Sequence, residues 1–373
     1  MQVPQLFGHI EFDDEQHRAM VCRDVDTPDE LMVHYWGGMP NRGRAVRLAV
    51  GQAEDDGYRT ASVLTAYATL DEGAGLTRVP VSSDFVEFLK SLTISVLVQE
   101  EQCTFKLQRE GIISYGICKR NTKAPDTRVE NLSSWSDFRQ WANKIRQTEN
   151  AELFRGHGDS RFSLTTTFHR NGRQDMVKYC DTVVPEFRSH AEAALGRRLD
   201  GDGYEFATLL ALAQHHGLPT PLLDFTASPY IAAFFAFADA LDQAREEATH
   251  VRIFAVTRAF LGSSTPPVVS LTGAWPFIYR LAVSPINNPR LYAQQGQFLA
   301  TNVAMVEDFL EMWEFNTGKQ AIYAADIPIS ETVKALEDLK YMGVTAATMF
   351  PGLDGACKMM KHDMFFRQQK AAL

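Results

Sequence analysis

Apolar positions recur along the chain with two periods, and the switches between them outline its elements. Short β-branched runs around residues 92–98 and 112–117 predict strands, and turn signals fall at Trp36-Gly37-Gly38 and at residues 71–75 (DEGAG). Between them Ser83 to Ser91 changes period. Asp84 and Glu87 stand in a first turn, and Phe85, Phe88 and Leu89 follow at helical spacing. Residues 1–120 therefore read as an α+β module. Residues 119–133 (KRNTKAPDTRVENLS) are polar, carry Pro125 and have no apolar period, the pattern of an exposed linker.

After this linker the pattern predicts a second domain over residues 134–373. Ser134 can cap a helix with Trp135, Phe138, Trp141, Ala142 and Ile145 on one face. Residues 151–156 (AELFRG) predict a strand, and helices are expected from Pro185 towards Leu195 and from Tyr204 to His215. Leu222 to Thr226 is a short strand. Ser228 and Pro229 then supply a cap and a first-position proline for a Phe/Ala-rich helix that must be mostly buried. Further on, residues 250–256 alternate as a strand, residues 290–299 read as a loop running into another strand, and residues 331–340 are an amphipathic helix. Residues 343–355 (GVTAATMFPGLDG) read as a strand and a turn.

Composition narrows the class. With 373 residues, 45% hydrophobic and 22% charged, the chain has the makings of two folded domains, not of a disordered polymer. No uncharged apolar run approaches the roughly 18 residues that would span a bilayer, and the first residues lack a signal-peptide pattern, so a cytoplasmic protein with no membrane partner is expected. Five scattered cysteines without ligand spacing predict buried thiols and no metal site. A net charge of −9 leaves nucleic-acid binding to a local track, for which Arg161, Arg170, Arg173 and Lys178 are the candidates.

Several motifs carry candidate chemistry: Phe154-Arg155-Gly156, Arg170, Glu186, Gln214-His215-x-Gly217-Leu218-Pro219-Thr220-x-Leu222-Leu223-Asp224-x-Thr226-x-Ser228-Pro229, Gln295-Gly296-x-Phe298 and Phe350-Pro351-Gly352-Leu353-Asp354-Gly355. In order and spacing they resemble the FRG domain family over residues 135 to about 361. The family's histidine falls on His215, which leaves His216 as a packing substitute.

A weaker similarity links the same residues to ADP-ribosyltransferase-type NAD sites, and implies a split, mixed β core with flanking helices. In that likeness Arg155, followed by Gly156, grips the phosphates of NAD, because guanidinium alone offers a bidentate fork. Thr226 and Ser228 would position the nicotinamide ribose. The late loop that usually brings a glutamate matches Gln295-Gly296-Gln297, which has no carboxylate, so Asp224, Glu205 or Glu186 could supply the charge, with Gln295 bonding the ribose and His215 acting as base or orienter on the acceptor. Asp224 is preferred, since it shares a strand face with Thr226.

The resemblance thus implies an NAD-binding, ADP-ribosyltransferase-like toxin or anti-phage effector that modifies a protein or nucleic-acid acceptor. Two other classes stay open: a non-catalytic sensor for a nucleotide or peptide, and a metal-dependent nuclease built on Asp224, Glu186 and His215. Each residue also has a plainer role. Arg155 could be an ion-pair partner of Asp224 or Glu186, Thr226 and Ser228 helix caps, His215 a core histidine, Asp224 a strand-end cap, and Gln295 a solvated side chain.

Overall fold

The computed structural model describes residues 5–12, 15–37, 43–68, 81–121, 127–199, 203–243, 245–263, 271–283 and 288–371. The turns expected beyond Gly37 and at residues 71–75 lie outside these residues.

The first unit is a closed antiparallel barrel of eight strands: β1 (Leu6–Phe12), β2 (Glu15–Cys22), β3 (Glu30–Trp36), β4 (Arg44–Ala53), β5 (Arg59–Ala68), β6 (Thr93–Val98), β7 (Gln102–Arg109) and β8 (Ile112–Lys119). The helix Ser83–Ser91 forms as expected, with Ser82 accepting from the Phe85 N–H. It is the barrel's accessory, so the α+β reading of this part gives way to a β architecture among the described residues. β8 closes on β1, and closure needs glycine at the seam: a Cβ on Gly8 would sit 1.9 Å from Ile117 O, and one on Gly116 2.7 Å from Ile10.

Inward residues such as Val21, Val33, Val46, Val96 and Phe105 fill the barrel. Met20, Cys22, Met32 and Ala45 point outward yet are also buried, because Val177 of the second unit packs on them. This doubly covered stretch reads as a continuous apolar run, which hid the strand alternation.

The second unit is a seven-stranded sheet: β9 (Arg128–Asn131), β10 (Ala151–His157), β11 (Leu222–Thr226), β12 (His250–Thr257), β13 (Ile278–Leu281), β14 (Gly296–Thr301) and β15 (Ile322–Pro328). Their order is β13-β14-β11-β10-β12-β15-β9. All pairs are antiparallel except β15 with β9. Thus residues 128–131, read as linker, are an edge strand. It is too short and polar to carry an apolar period, and its partner lies almost 200 residues on.

Helices Trp135–Gln147, Pro229–Asp242 and Thr332–Tyr341 cover one sheet face. Ser134 caps the first and its five expected residues are buried. Val306–Thr317 packs on the other face. Two expectations fail locally. Val344 and Thr345 suggested a strand, but Thr345 instead forms a capping box with Thr348 and starts the helical turn Ala346–Met349. Residues 290–293 belong to the short helix Pro289–Ala293, capped by Asn288. Four cysteines are buried, whereas Cys357 is exposed on the helix Leu353–Ala371.

The two units share a polar seam. Asp24 Oδ2, in a buried carboxylate, accepts from the Gln174 and Asp175 N–H groups at 3.0 and 3.1 Å. Arg47 meets Asp175, Arg173 meets Asp26 at 2.8 Å, and buried Gln5 bridges Asn302 O and the Ala304 N–H.

Candidate functional site

Packing dictates where the sheet opens. The helix Pro229–Asp242 presses so closely on β10 that a Cβ on Gly156 would lie 2.0 Å from Ala232 O. β10 and β11 then share a single residue pair, Phe154 with Thr226. A cleft of about 750 Å³ opens at this split, within the ~300–1,000 Å³ usual for small-molecule sites.

Arg155, Gly156, His215, Asp224 and Thr226 all line the cleft; Ser228 and Gln295 are not among its lining residues. Arg155 spans the split. Its Nη1 donates to Asp224 O at 2.5 Å and its Nε to His157 Nε2 at 3.0 Å. These bonds use two of the five guanidinium N–H donors. Burial lowers the proton affinity of Arg155, and the Asp224 charge opposes that. The Asp224 carboxylate lies 4.0 Å from Arg155 Nη1, lines the cleft and is 62% exposed. Ringed by protein, it has its pKa raised by desolvation, with Arg155 pulling the other way.

No sequence motif singles out His157, yet it anchors the site from the end of β10. Its Nδ1 lies 3.2 Å from Phe162 O and its ring meets Phe254 edge-on at 5.3 Å. Burial and the Arg155 charge push its pKa down to about 3, so it is a neutral acceptor for Arg155. His215 is exposed at the end of the helix Gly203–His215, its pKa lowered by burial and by Arg290. His216, expected to pack, is exposed as well.

The hydroxyl corner is engaged by backbone. Thr226 Oγ1 donates to Gln294 O at 2.8 Å and accepts from the Ser228 N–H at 3.2 Å, while Ser228 Oγ caps the helix at Ile231. Gln295 holds this corner through its main chain, in the left-handed region at φ 46°, where its carbonyl accepts from the Ala227 N–H. Gln297 faces away: its Oε1 accepts from Arg280 at 2.9 and 3.1 Å, and Arg280 pairs with Glu152 at 2.6 Å. Glu186 and Glu205 do not line the cleft; Asp239 does, paired with Arg245 at 3.0 Å.

Five arginines reach the cleft: Arg155, Arg161, Arg170, Arg245 and Arg290. Arg161 is held by Asp159 and Glu247. Arg173 and Lys178 are drawn to Asp26 of the barrel, which breaks up the basic track expected for nucleic acid. Arg170, at the end of the helix Thr167–Arg170, and Arg290 have no carboxylate within ion-pair distance among the described residues. The inner cleft therefore suits an anion.

Among the described residues no group of three or more His, Cys, Asp and Glu side chains could hold a metal ion, so Asp224, Glu186 and His215 do not form the set a nuclease would need. No described helix is long and apolar enough to cross a membrane. No curated protein and no solved structure matches the chain. Residues 150–245, which hold Arg155, His215, Asp224 and Thr226, match the family model of the FRG domain, and the chain therefore carries an FRG domain.

Proposed function

We propose that the cleft binds NAD and transfers its ADP-ribose to a macromolecular acceptor. The observation that carries this reading is the half-used fork of Arg155 at the split, with Arg170 unpaired on the same cleft. Together they offer a pyrophosphate two cations in a confined space. Asp224, open to the cleft, is the carboxylate available to stabilise positive charge developing on the ribose as its C1′–nicotinamide bond breaks. The bonding pair leaves with nicotinamide, the acceptor nucleophile bonds to C1′, and neutral His215 takes the acceptor's proton.

The test is calorimetric binding of NAD combined with chromatography for free nicotinamide. Wild type should bind and release nicotinamide, and both should be lost in Arg155→Ala. Absence of NAD binding by the wild type would sink the reading.

One observation favours a second reading, a sensor that binds the nucleotide without turnover. In the loop where the ADP-ribosyltransferase pattern wants a glutamate, this chain has Gln297, whose amide is already held by Arg280. Arg155-dependent binding without nicotinamide release would select it.

A further inference from the structure

Most of one wall of the cleft comes from beyond the residues matched by the family model. Phe350 follows the turn Ala346–Met349, and its half-buried ring lines the cleft with that of Phe235. Their centroids are 5.9 Å apart at 86°, edge to face. The Arg290 guanidinium carbon lies 4.8 Å from the Phe350 centroid. Gln294 ties this wall to the hydroxyl corner: its Nε2 donates to Met349 O at 2.9 Å, while its carbonyl accepts from Thr226. The wall is thus a fixed surface made of an aromatic pair and a guanidinium without a carboxylate.

We propose that this wall seats the neutral adenine ring of the dinucleotide, with the cationic nicotinamide end at Asp224. The proposal rests on the NAD reading. Phenyl rings and guanidinium planes both stack on nucleobases. A pyridinium there would meet Arg290 and also Lys358, whose Nζ is 5.2 Å from the Phe350 centroid. Asp224 offers the opposite charge. The charges acting on it come from Arg155 and Arg170, whereas Arg290 acts on His215. The cleft therefore has distinguishable ends, one aromatic and cationic, one acidic, and only one orientation of NAD matches both.

Titration calorimetry with AMP, nicotinamide mononucleotide and NAD tests the assignment. Phe350→Leu, which keeps most of the bulk, should weaken AMP and NAD about tenfold and leave the mononucleotide within twofold. Asp224→Asn should do the reverse for the two half-ligands. Arg290→Gln, which removes charge from a half-exposed side chain, should also weaken AMP, and thermal unfolding reports whether each variant is folded. Loss of mononucleotide binding but not AMP binding in Phe350→Leu overturns the orientation. Unchanged AMP affinity in both wall variants, or no AMP binding by the wild type, overturns the ring seat. AMP binding that depends on Phe350 in a protein that ignores NAD would keep the seat and reject the NAD reading.

Discussion

Arg155 and His157, two residues apart on β10, are joined side chain to side chain at 3.0 Å, and this bond fixes the state of the histidine. Nδ1 faces a carbonyl, that of Phe162, so it carries the proton. Nε2 is left as acceptor for the guanidinium.

Removing that acceptor should free Arg155 to swing towards the Asp224 side. His157→Leu is expected to weaken NAD binding about tenfold (~1.4 kcal/mol), while His157→Gln, which retains an acceptor, should lose much less. Because the His157 pKa is down at about 3, its titration should not alter affinity between pH 5 and 8. Equal losses in the Leu and Gln variants would argue against the hydrogen bond.

Gly156 has a packing task that a ligand-cradling role would not predict. Its Cβ position is 2.0 Å from Ala232 O and 2.9 Å from Ala236 Cβ, so Gly156→Ala must push the helix Pro229–Asp242 off the sheet. A loss of about 3 kcal/mol is expected in urea unfolding. A folded variant of wild-type stability would contradict the close approach.

Asp24 should be the costliest single polar loss at the seam between barrel and sheet. Alanine there strands two buried N–H groups, for about 3 kcal/mol, whereas asparagine keeps an acceptor oxygen and should recover part of it. Since the bonded segment begins only four residues after Arg170, Asp24→Ala should also weaken NAD binding. Denaturation and calorimetry on the same samples check both.

Stability should fall on acidification through buried histidines. Burial holds His34 and His169 at pKa values of about 4, while the unfolded chain takes up those protons near ~6.5. The stability they contribute is complete above pH 6.5 and drains as pH falls towards 4, by at most ~3 kcal/mol each. Asp175 and Glu307, whose carboxyls burial pushes up, act in the opposite sense. The measurement is therefore a comparison: His169→Gln should show a shallower loss than wild type in denaturant midpoints between pH 6.5 and 4.5. An identical slope would refute it.

Local signals explain what the sequence made legible. Ser134, Leu222 to Thr226 and Ser228-Pro229 are each specified by neighbours, and the structure has them as expected. The barrel was not, since Met20, Cys22 and Met32 are buried outward by Val177, and a pattern buried on both faces has no alternation to read. The same holds within the site. Arg155 and Asp224 stand in recognisable motifs, but no motif marks His157. Arg290 and Phe350 meet across 60 positions, so only the folded chain makes them a pair. Thr226 and Gln295 are conspicuous in sequence, yet they hold backbone together.

The Asp24 seam has a practical corollary for dissecting this protein. Severing the chain ahead of Arg128, between barrel and sheet, would strip Val177 of its cover and leave the amides of Gln174 and Asp175 without their acceptor. The excised second unit would then carry a raw apolar scar at Val177, prone to self-association. If such a fragment bound no ligand, the cut itself would be reason enough, and the cleft would stand untouched by the result. Ligand assays therefore belong on the intact chain, barrel included.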